Sequence, residues 1–473
     1  MTPPLTGAPS VAVAAPQGGA PAGVAFCDAL KVWMKIGLIS FGGPAGQIAT
    51  MHRILVDEKR WIGERRFLHA LNYCMLLPGP EAQQLAIYVG WLLHRTWGGI
   101  VAGTLFVLPG AAVMLGLSLL YAGYHDMGFV AGIFFGIKPA VLAIVLHALV
   151  RIGKRALTSR FALALAAAAF IAIFFLDLPF PAIVLGAGVI GYFVNRVGGL
   201  SSGTARANTA DDAEPANAAI DEMFATGGAD HVRPSAARAL RVLATWLPLW
   251  LGPVVVLLLW RGGGDVFSAI AVFFSKMAVV TFGGAYAVLA YVAQAAVSSF
   301  GWLRPGEMLD GLGMAETTPG PLILVLQYVG FMAAYRDPGV LPPWLAGTLA
   351  AMLTLWVTFA PCFLWIFLGA PYVEQLRANR GLNAALSAIT AAVVGVILNL
   401  AVWFALHTLF GEVNATTVAG LRLWLPVLHT VQLPSLALAA GAAIAMFRFK
   451  VGMMPTLAAS ALLGCGYFLL AGR

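Results

Sequence analysis

The stretch FGGPAGQ, residues 41–47, interrupts an apolar run with a glycine pair and a proline, and a dense run of charges follows it. LLPGPEAQQ (76–84) breaks a second apolar run in the same way, and TFGGAY (281–286) and TTPGPL (317–322) repeat both motifs later in the chain. Shifted by 241 residues, the chain matches itself without gaps. Lys35 falls on Lys276, Phe41-Gly42-Gly43 on Phe282-Gly283-Gly284, Trp61 on Trp302, and Pro78-Gly79-Pro80 on Pro319-Gly320-Pro321. The register then slips by one, so that Tyr88-Val89-Gly90 falls on Tyr328-Val329-Gly330. Agreement of several rare residues at one offset marks an internal duplication, a symmetry that many secondary transporters carry.

Composition places the duplication in a membrane. The 473 residues are 60% hydrophobic and 10% charged, with a mean hydropathy of +0.87, whereas soluble domains carry about 25% charged residues. Stretches such as 97–124 exceed the roughly 20 apolar residues that cross a bilayer. With no basic stripe interleaved with aromatics, the net charge of +8 reads as positive-inside bias and excludes nucleic acid as a partner. Cys27, Cys74, Cys362 and Cys465 lie far apart, without the close spacing of a metal or redox motif, and are expected to be small buried hydrophobes. His52, His69 and His147 also lack metal-ligand spacing, so no metal and no cofactor are expected.

Residues 1–24 are rich in Pro, Gly and Ala and lack a basic n-region; they read as a disordered tail rather than a signal peptide. The first repeat is assigned to 25–195 and the second to 263–473. Between them, 196–239 reads as a disordered polar linker and 240–262 as one extra transmembrane helix that inverts the second copy. Loop charges agree with inversion, because positive short loops favour the cytoplasm. Arg53, Lys59, Arg60, Arg65 and Arg66 follow the first FGG motif, while the matching loop 285–307 has only Arg304. Arg151, Lys154, Arg155 and Arg160 are matched near 405–423 by Arg422 alone. The turn at Asp177-Leu178-Pro179 has no positive charge, and its counterpart has Arg448 and Lys450.

Both basic loops of the first copy, 53–66 and 151–160, fall on one side only if 67–94 enters the membrane and returns, turning at Pro78-Gly79-Pro80. The same argument makes 26–56 a re-entrant pair turning at FGGP. The expected fold is therefore an all-α polytopic membrane protein of two inverted-topology repeats. Each holds two re-entrant helical hairpins and about four transmembrane helices: 97–123, 129–150, 160–177 and 180–195, then 344–370, 381–404, 424–447 and 451–471. An arrangement in which the hairpins are ordinary spans is the alternative.

Irregular backbone at membrane depth leaves polar groups unpaired unless protein or a water-filled cavity satisfies them. A half-helix that starts after Gly-Gly-Pro or Pro-Gly-Pro presents free N–H groups and the positive end of its dipole, a ready anion site. Kinks or close-packing glycines are the bland reading of one such motif; four motifs matched across a duplication favour the anion site. Lys35 and Lys276 each lie six residues before an FGG in apolar runs, and two symmetric ammonium groups suit a small dianion; snorkelling is the alternative. Lys138 has no lysine counterpart. Glu81 starts the helix after the first Pro-Gly-Pro and Glu316 precedes the second. They are not repeat-equivalent, and each is a candidate for proton coupling, with capping as the alternative for Glu81. The candidate substrate-binding set adds Ser40, Phe41, Gly42, Gly43, Pro44, Gln47, Pro78, Gly79, Pro80 and Gln84 in the first copy. In the second it adds Thr281, Phe282, Gly283, Gly284, Thr318, Pro319, Gly320 and Pro321. Gln83 and Gln327 are further hydrogen-bond donors.

SFGGPAGQI followed by RW, LLPGPEAQQLAIYVGW and FVLP in the first half, with TFGGAYAVL, GW and TTPGPL in the second, resembles the long, two-domain members of the chromate transporter family. The resemblance covers the chain except the tail and linker. It implies proton-driven efflux of chromate across the bacterial inner membrane, conferring chromate resistance, with sulfate as a structural mimic and competitor. The expected amino terminus is cytoplasmic and the carboxyl terminus periplasmic; a homodimer is the assembly to test. The sequence departs from symmetry where Ala285 replaces Pro44, where Phe359-Ala360-Pro361 loosely matches FVLP (106–109), and in the extra RDPGVLPPW (336–344). The rivals are a sulfate or other oxyanion transporter, a passive channel and a membrane-embedded chromate reductase. Scattered cysteines and the lack of a flavin or nicotinamide fingerprint disfavour the reductase; an ATP-driven pump would need a G-x-x-x-x-G-K-[ST] loop, which the chain lacks.

Overall fold

The computed structural model describes residues 24–125, 127–197, 218–220, 223, 234–282, 285–372, 380–418 and 421–470. The expected tail up to residue 23, most of the expected linker, Gly283 and Gly284 lie outside the described residues. The described chain is mostly helical. In the first copy α1 (Phe26–Ile39), α2 (Gly43–His52) and α3 (Glu64–Cys74) are short, followed by α4 (Glu81–Tyr124), α5 (Gly128–Ala156), α6 (Arg160–Phe174) and α7 (Phe180–Arg196). Helix α8 (Ala236–Arg261) leads to α9 (Val266–Val280), α10 (Ala285–Gln294), α11 (Glu307–Thr317) and α12 (Val325–Arg336). The chain ends with α13 (Pro343–Gly369), α14 (Arg380–Leu409), β1 (Val413–Val418), β2 (Leu421–Pro426), α15 (Leu433–Phe447) and α16 (Met453–Leu470). A π-helical turn follows α2 at Arg53–Glu58 and another follows α10 at Ala295–Ser299, at equivalent positions of the duplication.

Six of the described helices, α4, α5, α8, α13, α14 and α16, are long and apolar enough to cross a bilayer. The expected crossings at 160–177, 180–195 and 424–447 are helices of 15, 17 and 15 residues, about 22–26 Å long at 1.5 Å per residue. The first and last are shorter than expected, and 180–195 matches its helix within one residue. The last departs furthest. Leu421-Arg-Leu-Trp-Leu-Pro alternates with the period of a strand and pairs antiparallel with β1, Val413 opposite Pro426 and Val418 opposite Leu421. Helix α15 starts only beyond it, with Pro434 in its first turn. This hairpin is the exception to an all-helical membrane protein. It docks on the first copy through the Arg422 amide, which donates to Phe175 O at 2.8 Å, and the Arg422–Asp177 ion pair at 3.0 Å.

The 44 residues of α4 are not one rod. His94 (φ −135°, ψ 33°) and Arg95 (φ 55°, ψ −149°) are non-helical, and the two arms fold back on each other. In a straight helix Gly90 and Gly98 would stand about 12 Å apart along the axis; here a Cβ on either would overlap the other's carbonyl. The second copy makes the equivalent hairpin with α12 and α13, where Gly330 leaves room for Thr354. The chain thus reverses at His94–Arg95 instead of continuing as a single span.

Between the copies the long helices are exchanged. Helix α5 packs most extensively on α16 and α15 of the second copy, and α14 on α7 and α6 of the first. Small residues allow it, as in membrane helix pairs generally. Gly136 faces the Ser460 carbonyl and Gly464 faces Gly136, while Gly395 faces the Ala166 carbonyl and Gly191 faces Ala388. Helix α8 is largely exposed on the outside of this assembly. Pro253 has no N–H for the carbonyl four residues earlier, and the Trp356 indole N–H donates to that carbonyl, Leu249 O, at 2.7 Å. Cys74, Cys362 and Cys465 are buried as expected, but Cys27 is exposed, because it sits in the first turn of α1 on the side away from α4.

Candidate functional site

The broken segments meet tip to tip. Helix α1 ends at Ser40 (φ −82°, ψ 82°) and α9 ends at Thr281 (φ −77°, ψ 83°), nearly the same backbone. Both ends fold into the same tight turn, Phe41 N–H donating to Ile39 O at 3.1 Å and Phe282 N–H to Val280 O at 3.0 Å. Gly42 and Gly43 follow with φ of 91° and 68°, a region that L side chains rarely adopt, and Pro44 lies in the first turn of α2. Gly79 and Gly320 at the two Pro-Gly-Pro tips have φ of 120° and 90°.

Each Pro-Gly-Pro tip is tied to the FGG segment of the other copy. Gly79 N–H donates to Thr281 O and Gly320 N–H donates to Ser40 O, both at 2.8 Å. Gly79 and Gly320 are repeat equivalents, as are Ser40 and Thr281, so one bond is made twice with the copies interchanged. Each tip also rests on the other copy's proline-containing helix. The Pro319 carbonyl abuts Gly110, next to Pro109, and Gly79 lies against Cys362, next to Pro361. The loose match between Phe106–Pro109 and Phe359–Pro361 thus corresponds to one shared task, seating the opposite tip.

Buried polar side chains surround the junction. Ser40, Gln47, Gln83, Gln84, Thr281, Glu316, Thr318 and Gln327 are all buried. Gln47 Nε2 donates to Gly320 O at 2.5 Å, Gln84 Nε2 to Pro78 O at 2.7 Å, and Gln327 Nε2 to Ala111 O at 3.1 Å. Thr281 and Thr318 donate to Met277 O and Met314 O one turn back, so their hydroxyl protons hold their own helices instead of pointing at a ligand. Gly79 and Gly320 are likewise occupied, which narrows the expectation that every tip offers free N–H groups. The starts of α2 and α4 remain: Gly42 and Pro80 precede them, and neither helix has a side-chain cap. Their first-turn N–H groups have no partner within the helix and carry its positive end. Ser40 Oγ is buried without a partner.

Phe41 is exposed, Phe282 half-buried, Pro80 precedes α4, and Pro321 precedes the 3-10 turn Leu322–Leu324 that leads into α12. Glu81 is the first residue of α4 and makes no ion pair among the described residues. Glu316 accepts from the Tyr286 hydroxyl at 2.7 Å on Oε1, and its Oε2 is buried without a partner. Tyr286, inside the TFGGAY motif, is not among the candidates read from the sequence; a hydroxyl at the second position of a mostly apolar half-helix is its signal.

The two lysines are exposed and unequal. Lys35 is exposed on α1, with Glu58 at 3.9 Å. Lys276 is exposed on α9 and lines a cleft of about 450 Å³ with Ser268, Tyr291 and Ser299. Ser299 is the repeat equivalent of Glu58, so the second copy lacks the carboxylate that pairs the first lysine, and Lys276 makes no ion pair among the described residues. Among the described residues no group of three or more His, Cys, Asp or Glu is placed to hold a metal ion.

Comparison with known proteins matches both halves of the chain. The profile of the family described as "Chromate transporter" matches residues 27–192 and again 268–465. The chain is 29% identical over 397 residues to a chromate transport protein of Pseudomonas aeruginosa, covering 82% of this chain and 83% of the relative. It is 26% identical over 366 residues to a chromate transport protein of Cupriavidus metallidurans, covering 77% and 79%. A probable chromate transport protein of Synechococcus elongatus is 24% identical over 379 residues, covering 78% and 81%. No solved structure matches the chain. With both halves matched and the paired motifs meeting at one junction, the chain belongs to the chromate transporter family.

Proposed function

We propose that the protein exports chromate from the cytoplasm by proton antiport, alternating access at the junction of two inverted repeats in a bacterial inner membrane. The observation that carries this reading is the reciprocal pair of bonds, Gly79 to Thr281 and Gly320 to Ser40, which gathers half-helix ends from both repeats around buried amides. Such ends favour a dianion, and the relatives named above are chromate transport proteins. Glu316, with one carboxylate oxygen unpartnered, and Glu81 are the carboxyls at the junction that can exchange a proton with it.

The inverted arrangement is supported by contacts between segments whose charges assign them to one side. The Asp177 turn meets Arg422 and Gln294, all in charge-poor segments. Val24 O meets His94, and Arg60 O and Trp61 O accept from Ala219 and Ile220, all in segments read as cytoplasmic. On this reading the amino terminus is cytoplasmic and the carboxyl terminus periplasmic.

A second reading, a general oxyanion carrier, is favoured by the donors themselves. Backbone N–H groups and neutral amides read the charge and shape of a tetrahedral dianion, which sulfate shares with chromate. Uptake of labelled chromate by everted membrane vesicles, energised by an imposed proton gradient with and without excess sulfate, separates the two. Gradient-dependent uptake that resists sulfate supports the chromate antiporter. Uptake abolished by modest sulfate supports the general carrier, and gradient-independent uptake removes the antiport mechanism.

A further inference from the structure

Asp310 lies in the first turn of α11, 2% exposed. Its Oδ2 takes both its partners, Lys138 Nζ at 3.2 Å from α5 and the Tyr121 hydroxyl at 2.9 Å from α4. Its Oδ1 is buried with no partner. Glu307, three residues earlier, is the contrast. Arg336 grips it in a fork at 2.6 and 2.8 Å and the Arg304 amide donates to it at 2.7 Å, so both oxygens are engaged. Capping and dipole complementation explain Glu307; they do not explain a carboxylate with one bare oxygen and a lysine drawn from the other repeat.

Lys138 sharpens the contrast. Its ammonium lies against Gly306, the residue that caps the amino end of α11. A cation there opposes the helix dipole, and the Asp310 carboxylate is what holds it. The other groups around the pair are Tyr328 and Arg336 on α12, and His125, which stacks on Tyr121 at 5.2 Å. Arg336 is committed to Glu307. Asp310 and the tip are joined by one element, because α11 runs from Glu307 to Thr317 and delivers Gly320 to the Ser40 carbonyl. From Asp310 to the end of α11 at Thr317 the helical lever is about 10 Å long, and the tip lies just beyond it.

We propose that Asp310, paired across the repeats with Lys138, is a proton-carrying carboxyl of the transport cycle and that α11 transmits its charge state to the anion site. The inference rests on the proton-antiport reading above and adds a carrier outside the tip junction. A proton arriving from the outer face forms an O–H bond at Oδ1 and neutralises the carboxylate. Lys138 keeps its own proton, loses its counter-charge and swings from the helix end to water, freeing α11 from α5. Release of the Oδ1 proton to the cytoplasm restores the carboxylate and the cross-repeat pair.

The test uses the purified full chain in liposomes with two readouts, chromate exchange without a gradient and chromate movement driven by an imposed pH gradient. Asp310→Asn is expected to lose the gradient-driven rate by roughly tenfold or more while exchange persists, and Asp310→Glu is expected to restore coupling. The double variant Lys138→Asn with Asp310→Asn discriminates a structural role, since removing both charges of a buried pair leaves neither unpaired. Continued loss of gradient response in the double variant supports the proposal, and its recovery overturns it. If Asp310→Asn alone fails to insert, the double variant decides. A wild type that exchanges chromate but ignores the gradient removes the antiport reading and this inference with it. A wild type that responds, beside an Asp310→Asn that responds equally, removes only the inference.

Discussion

The amide of Gly79 donates to the carbonyl of Thr281 at 2.8 Å, across the boundary between the two halves of the chain. The same bond recurs between Gly320 and Ser40, so the two halves hold each other by their least regular backbone. Irregular backbone is tolerated at membrane depth only where its polar groups find partners, and each repeat supplies the partner that the other lacks.

Replacing either tip glycine by alanine is therefore expected to act twice. The φ of 120° at Gly79 and 90° at Gly320 disfavours a side chain by about 1–2 kcal/mol, and at Gly79 a Cβ would also press on Cys362. Gly79→Ala and Gly320→Ala should each lower thermal stability in detergent and abolish chromate transport. A variant with wild-type transport would show that the tips are not part of the path.

The two lysines are expected to differ. Lys35 and Glu58 form an exposed pair, worth at most about 1 kcal/mol, whereas Lys276 lines an open cleft with no carboxylate partner. Lys276→Gln should raise the KM for chromate by several-fold to roughly tenfold, a loss of up to about 1.4 kcal/mol, and Lys35→Gln should change it little. Equal effects on chromate kinetics would show that Glu58 does not set the difference.

Orientation can be read by labelling. In a variant without the four native cysteines, Lys154→Cys is expected to react with a membrane-impermeant thiol reagent only from the cytoplasmic face. Arg422→Cys should react only from the opposite face, with Asp177→Cys sharing its side because the two residues are in contact. Labelling of 154 and 422 from the same face would rule out inverted repeats.

The bond from Trp356 to Leu249 O exists because Pro253 cannot supply an N–H. Trp356→Phe leaves that carbonyl bare and should destabilise the protein by about 1–2 kcal/mol. In a Pro253→Ala background the helix supplies its own donor, and the same substitution should cost less. Thermal denaturation in detergent of the four variants of this cycle checks the difference.

The sequence by itself determined the duplication, the membrane setting and the places where helices break. Each of these is local chemistry: Gly and Pro admit only certain backbones, and a run of apolar residues needs an apolar solvent. It misplaced the stretch before α15, where alternation in Leu421–Pro426 outweighed hydropathy and produced a strand. Only the tertiary structure decided that each tip bonds to the opposite copy, that α5 and α14 exchange their packing partners, and that Lys35 has a carboxylate beside it while Lys276 does not. It also joined Lys138 to Asp310, 172 residues apart in the chain. The physical reason is that these are pairings between distant segments. The intrinsic preferences of Gly79, Lys276 or Asp310 are the same whichever neighbour the fold brings, and the neighbour alone decides whether an N–H, an ammonium or a carboxylate is left for a ligand or a proton.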